Sequence, residues 1–245
     1  MKPIRQTIHF DKKLIDKDAQ KVVKTLNKAG HEAYLVGGCI RDLLLGHKPK
    51  DFDIATSATP EQVHKTFKRS RLIGRRFRLV HIMFSSRKYI EVATFRSGKV
   101  KTAGNDVIVR DNLYGTLKED VFRRDFSVNA LYYDIQNSQV IDYVDGLEAL
   151  YNSEIRMIGN PVERFKEDPV RMIRAIRFKV KLEATIDPKI SRTISNQAYL
   201  LANIPAARLY DECIKLFHNE NAYEVFEQLL KYGLLNYLFP QTEET

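Results

Sequence analysis

Residues 34–55 read YLVGGCIRDLLLGHKPKDFDIA, and this stretch decides the architecture. A strand ends at Gly37-Gly38, a short helix runs over 39–45 to Gly46, and a second strand follows over 51–55. On that second strand Asp51 and Asp53 are two residues apart, so both carboxylates project from one face while Phe52 and Ile54 point to the other. Two clustered carboxylates repel one another, and a divalent cation relieves the repulsion. Oxygen-only donors of this kind suit Mg²⁺, which commonly uses one or two carboxylates together with substrate phosphates. Gly37 and Gly38 lie between a strand and a helix, where exposed backbone N–H groups make an anion site. Arg41, one turn into the helix, is placed to reach the same phosphates. Alone, an Asp-x-Asp pair is a solvated strand end and Gly-Gly a turn. Their order, strand–GG–helix–strand, gives them a shared use.

Outward from this core, helical and strand patterns alternate. An amphipathic helix over 16–29 stops at Gly30. Thr59 and Gln62 make a capping box around a helix opening at Pro60. Residues 78–84 and 89–95 predict two strands paired through Ser85-Ser86-Arg87. Residues 97–113 show no sustained pattern and are expected to form a mobile loop. A helix from about Thr116 and strands over 131–135 and 139–144 follow. From Pro161 the pattern becomes helical, over 161–182, 188–201, 205–217 and 221–231, with Pro161, Pro188 and Pro205 in first-turn positions. The fold class is therefore α+β: a mixed sheet-and-helix region over 1–156, then all-helical segments over 157–182 and 183–245. The ending FPQTEET stops abruptly after a helix, and a truncated chain is expected.

The composition narrows the function classes. The 245 residues are 44% hydrophobic, which excludes a disordered tail, and no 18-residue apolar run is present to cross a membrane. The charged N-terminus does not resemble a signal peptide. Two distant cysteines, Cys39 and Cys213, argue against a disulfide scaffold or structural zinc and fit a reducing cytoplasm. A net charge of +9 fits a polyanionic partner and equally fits ordinary solubility charge.

Two further constellations carry chemistry. In RRDFSVNAL (123–131), Arg123 and Arg124 offer donors to phosphate, while Asp125 and Asn129 suit a ribose or a metal. The alternative is a helix C-terminus whose basic residues complement its dipole. In ERFKEDPVRMIRAIRF (163–178), Asp168, Arg171, Arg174 and Arg177 recur every three residues along one face of a single helix. Met172, Ile173, Ile176 and Val180 gather on the other. Three arginines without acidic partners four residues on would repel one another unless an anion neutralises them. The run Lys65, Lys68, Arg69, Arg71, Arg75, Arg76 and Arg78 is an RNA-backbone or triphosphate contact, or else a solvated helix end and loop. His31, His47, His64 and His81 show no ligand spacing.

The segments YLVGGCIRDLLLGHKPKDFDIATSATPEQV, RRDFSVNALYYD and IGNPVERFKEDPVRMIRAIRF together resemble the class II nucleotidyltransferases, the superfamily of bacterial poly(A) polymerases and tRNA CCA-adding enzymes. The resemblance implies a catalytic head (1–156), a neck that reads the nucleotide base (157–182) and a helical body (183–245); family members continue into a further RNA-binding region. LIGRRFRLVHI (72–82) is similar to the stretch that marks poly(A) polymerases, which implies a phosphate or RNA role for Arg75 and Arg76. IPAARLYDECIKLF (204–217) is similar to the body of that subgroup. The implied chemistry is transfer of AMP from ATP to an RNA 3′-hydroxyl with release of pyrophosphate. Asp51 and Asp53 would hold two Mg²⁺ ions. Gly37, Gly38, Arg41, Arg124, Asn129 and Arg174 would contact the nucleotide. Asp125 and Glu91, the latter in YIEVATF, compete for the third catalytic acid.

Asp168 and Arg171 match the family's base-reading pair. An acceptor beside a donor suits the amine and ring nitrogen of adenine or cytosine and is mismatched by uracil and guanine. That pair alone does not separate ATP from CTP. A CCA-adding enzyme is the alternative activity, and intact Asp51, Asp53, Asp125, Asp168 and Arg171 argue against a non-catalytic RNA-binding protein. The partners implied are an RNA 3′ end and ATP, with no membrane; the sequence leaves the oligomeric state open.

Overall fold

The computed structural model describes residues 2–74, 78–97, 101–103, 107–110 and 113–240. Arg75 and Arg76 lie outside the described residues. The chain divides into two compact units, residues 1–124 with 128–147, and residues 125–127 with 148–245.

The first unit is built on an eight-stranded mixed sheet. Its elements in chain order are β1 (Ile4–Thr7), α1 (Lys17–Lys28), β2 (Ala33–Val36), α2 (Gly38–Leu44), β3 (Asp53–Thr56), α3 (Pro60–Thr66), β4 (Ser70–Ile73), β5 (Leu79–Met83), β6 (Tyr89–Thr94), β7 (Lys101–Ala103), β8 (Val107–Arg110), α4 (Leu117–Phe122), β9 (Tyr132–Asp134) and β10 (Gln139–Asp142). The sheet order is β1-β10-β9-β2-β3-β6-β5-β4, and only β3 and β6 run parallel. The capping box of α3 forms as expected, and Thr116 with Glu119 builds another at α4. Val22, Val23 and Leu26 of α1, fully buried, pack this helix against β2, β3 and β6.

Helix α5 (Gly146–Tyr151) lies at the division between the units. The second unit continues with β11 (Glu154–Ile155), α6 (Pro161–Glu167), α7 (Val170–Lys181), β12 (Thr185–Ile186), α8 (Pro188–Gln197), α9 (Ala206–Phe217), α10 (Ala222–Lys231) and α11 (Leu235–Leu238). Helix α7 is its centre, burying Met172, Ile173, Ala175 and Ile176 completely and packing on α6, α9 and α10. Strand β11 pairs with β12, so residues 148–156 pack with the helices of the second unit. Among the described residues no helix is long and apolar enough to cross a membrane.

Several expectations need correction. β1 and β4 are unforeseen edge strands of mostly exposed residues; such edges carry charge without the alternation that marks a buried face. Within the unpatterned 97–113 stretch, β7 and β8 pair antiparallel. The single helix expected over 161–182 is two. Pro169 disfavours helical backbone at the residue before it, and Asp168 sits at φ −153°, ψ 90°, ending α6.

Candidate active site

In the first unit, strand β2 delivers the chain to Gly37, whose φ of +80° is costly for any residue with a Cβ. A Cβ there would also stand 3.7 Å from Arg124 Nη1 and from the Asn129 carbonyl. Gly38 opens α2, and a Cβ on it would lie 3.4 Å from Arg41 Nη2. Gly37, Gly38, Arg41, Arg124 and Asn129 thus converge from two distant motifs. Arg41, only 3% exposed, donates from Nη1 to Asn129 Oδ1 at 2.6 Å and from Nε to Asp42 Oδ1 at 2.8 Å. Arg124 donates to the Tyr132 hydroxyl at 2.8 Å and pairs with Asp120 at 3.2 Å. Asn129 is 8% exposed, and its Nδ2 donor has no hydrogen-bond partner among the described residues. Leaving such a donor unmade in the protein costs free energy, so a ligand acceptor is its natural complement.

Asp120 is the functional residue missed in the sequence. It is 1% exposed and accepts the Tyr132 hydroxyl at 2.5 Å, the Arg96 amide at 3.0 Å and Arg123 Nε at 2.8 Å. Burial alone would raise its pKa, but Arg124, Arg123 and Tyr132 hold it down at about 2. It remains a buried anion that orients two guanidinium groups. Its placement three and four residues before Arg123 and Arg124 was the available signal.

Strand β3 begins at Asp53, so Asp51 precedes the strand instead of sharing it. The expected alternation still holds: Asp51 and Asp53 are exposed, while Phe52 and Ile54 are buried. Glu91 of β6 is the register partner of Asp53. Surrounding protein, then Glu91 and Asp51, push the Asp53 carboxyl up to about 6 against the opposing pull of Arg124. The His81 ring lies 3.3 Å from Glu91, so this histidine touches the carboxylate cluster. No three His, Cys, Asp or Glu side chains among the described residues form a complete metal ligand set. The donors present, crowded oxygens whose charge is resisted, fit a hard divalent cation that takes its other ligands from phosphate and water.

In the second unit Asp125 is already engaged. Its Oδ1 accepts the Phe126 amide at 2.8 Å, and its Oδ2 accepts Arg174 Nε at 2.7 Å. Burial would raise its pKa, but Arg174 holds it low. The arginines of α7 do have acidic partners, contrary to expectation, because other elements supply them. Arg171 meets Glu167 at 2.9 Å, Arg174 meets Asp125, and Arg177 lies 3.5 Å from Glu212. Asp168, displaced from the helical face by the break at Pro169, pairs through Oδ2 with Arg208 of α9.

Residues 33–156 match the family model described as the poly A polymerase head domain. The chain belongs to that family. It is a class II nucleotidyltransferase by descent, and the α+β architecture expected for it is the one observed. Residues 184–245 match a second model, described as the probable RNA and SrmB-binding site of polymerase A. Poly(A) polymerase I of Salmonella typhimurium is 50% identical over 96% of the chain. A CCA-adding enzyme of Lactobacillus johnsonii is 38% identical over 88% of it. Among solved structures, the Bacillus stearothermophilus CCA-adding enzyme in complex with CTP superposes with a TM-score of 0.76 at 35% identity, over 90% of this chain and 53% of that one. The chain spans about half the length of the curated relatives it matches, 52% for the Salmonella protein and 54% for the Lactobacillus one.

Proposed function

We propose that this chain carries the nucleotide-transferring part of an RNA adenylyltransferase, moving AMP from ATP to an RNA 3′-hydroxyl and releasing pyrophosphate. The observation that carries this reading is the unpartnered Nδ2 of Asn129, buried beside Arg41 and Arg124 at the Gly37-Gly38 turn. A donor flanked by two cations fits a phosphorylated ligand with a sugar hydroxyl or phosphate oxygen to accept it. Gly37 and Gly38 let the backbone approach the triphosphate, and Arg41 and Arg124 neutralise it. Asp51 and Asp53 would hold Mg²⁺, two ions by family likeness, which when bound supplies charge neutralisation at the reacting phosphate. Glu91, paired in register with Asp53, suits the third acid better than Asp125, whose carboxylate is taken by Arg174.

Base selection falls to Asp168 and Arg171. Arg208 occupies Oδ2 of Asp168 and leaves Oδ1 to accept an exocyclic amine, so adenine and cytosine are favoured over uracil and guanine. The 50% identity to a poly(A) polymerase I, against 38% to a CCA-adding enzyme, supports ATP over CTP. The test is incubation with a short RNA, Mg²⁺ and each labelled nucleoside triphosphate in turn. ATP alone should be added repeatedly. Equal addition of CTP would transfer the assignment to the CCA-adding activity, and no addition with any nucleotide would leave an RNA-binding role.

A further inference from the structure

We propose that the exposed face of α1 is a track for the phosphate backbone of RNA, separate from the 184–245 region; the inference rests on the RNA-directed function proposed above. Lys17, Lys21, Lys24 and Lys28 are all exposed and succeed one another at intervals of four, three and four residues, the spacing that aligns side chains along one helix face. At the α-helical rise the file is roughly 16 Å long. Gln20 and Thr25 stand among these lysines on the same face.

The local acids are spent elsewhere. Asp16 caps α1 through the amides of Asp18 and Ala19, and both Asp16 and Asp18 bind Lys88, at 2.7 and 2.6 Å. Among the described residues none of the four lysines forms an ion pair. Like charges at such spacing destabilise a helix, and a polyanion laid along the face removes that repulsion.

The chemistry of the face selects the partner. A bilayer or a protein groove would need apolar anchors, yet Ala19, Val22, Val23 and Leu26 are 0% exposed and belong to the core. What remains outside is cationic or hydrogen-bonding, the make-up of a backbone-reading surface. Its position suits an RNA whose 3′ end is being extended. Lys88, bound to the start of α1, directly precedes β6, whose Glu91 lies opposite Asp53. At the other end the chain returns into β2, whose Ala33 pairs with Thr56 at the far end of β3. The lysine file therefore begins at the carboxylate end of the sheet and leads away from it.

The test is equilibrium binding of a labelled single-stranded oligoadenylate of about 20 nucleotides, without Mg²⁺ or nucleotide, across a salt series. The full chain is compared with a variant in which Lys17, Lys21, Lys24 and Lys28 are all replaced by Gln. Each released counterion contributes about 0.7 to the slope of log affinity against log salt, so the variant's slope should be shallower by about 2–3. A matched variant replacing the scattered exposed Lys2, Lys118, Lys166 and Lys231 should change it by about 1 or less. An unchanged slope in the α1 variant, or equal loss in both variants, would overturn the track, whether or not vesicles or acidic proteins bind there. Nucleotide addition to a primer of a few nucleotides, too short for the file, is measured in parallel and should be retained. If wild type adds no nucleotide while the slope difference persists, the transferase proposal fails and the track stands.

Discussion

Asp53 and Asp120 lie in one unit, yet their surroundings drive them in opposite directions. Asp53 has a folded pKa of about 6, above its ordinary 3.8. Such a group favours the fold fully below pH 3.8, and that contribution is lost as pH rises through 6. Without divalent cation, Asp53→Asn should therefore raise the melting temperature at neutral pH. Water screens this exposed carboxylate, so the gain is at most about 1 kcal/mol. The same variant should lose nucleotide addition, and near-wild-type turnover in Mg²⁺ would refute its role as a metal ligand. Asp120 behaves inversely, with a folded pKa of about 2 against 3.8. Its contribution is complete above 3.8 and disappears as pH falls through 2, a gap worth about 2–3 kcal/mol. In urea titrations from pH 5 to about 2, Asp120→Asn should start from lower stability and show a flatter acid limb. Equal slopes would show that the buried carboxylate is not the titrating group. Asp53 was legible because a two-residue period exposes it; Asp120 was overlooked, since its spacing to Arg123 and Arg124 does not show that the carboxylate is buried.

Where an element ends matters as much as where it forms. A 3.6-residue period runs unbroken through 161–182, and so the sequence pattern reads as one helix. Pro169 overrides it through the backbone of the preceding residue, and the resulting corner turns Asp168 towards Arg208. Pro169→Ala removes that restriction and should let α6 run on into α7, carrying Asp168 off its partner. Arg208→Ala should release the same carboxylate without altering the helices. Both variants should blur discrimination against UTP by ~2–13-fold, the worth of one hydrogen bond, while total nucleotide addition at saturating ATP stays within a few-fold of wild type. Incorporation ratios from mixed nucleotides measure this, and unaltered ratios in both would remove Arg208 as a positioning residue. The legible helices α1 and α3 bury one face and expose another, and β2 is a short apolar run buried on both faces and closed by a glycine pair. The edge strands β1 and β4 have little buried side to mark them. The convergence of Arg41 with Asn129, 88 residues apart, is a consequence of sheet order that no local period encodes.

At the scale of the whole molecule, the proposed metal-binding carboxylates and the proposed base-reading side chains belong to different compact units, so chemistry and selection should be separable by mutation. Asp53→Asn should depress addition of all four nucleotides together, leaving their ratios intact. Asp168→Ala should do the reverse: the acceptor for the exocyclic amine disappears, and the carboxylate that mismatches the carbonyl oxygens of uracil and guanine disappears with it. ATP addition then falls while UTP and GTP addition falls less or rises, narrowing the ratio by the same ~2–13-fold that one hydrogen bond supports. Arg171→Ala should narrow it too, and should also raise the KM for every nucleotide if the guanidinium serves triphosphate as well as base. That side chain donates to the Arg164 carbonyl at 2.8 Å and pairs with Glu167 at 2.9 Å, so Glu167→Gln supplies the control. Loosening Arg171 without removing its charge should raise KM less than Arg171→Ala does and leave ATP preferred. Kinetics with each nucleotide singly, followed by paired competition, distinguish these outcomes. If Asp168→Ala and Arg171→Ala both retain wild-type ratios while lowering turnover, selection does not reside in this pair and the arginines of α7 serve to hold their acidic partners.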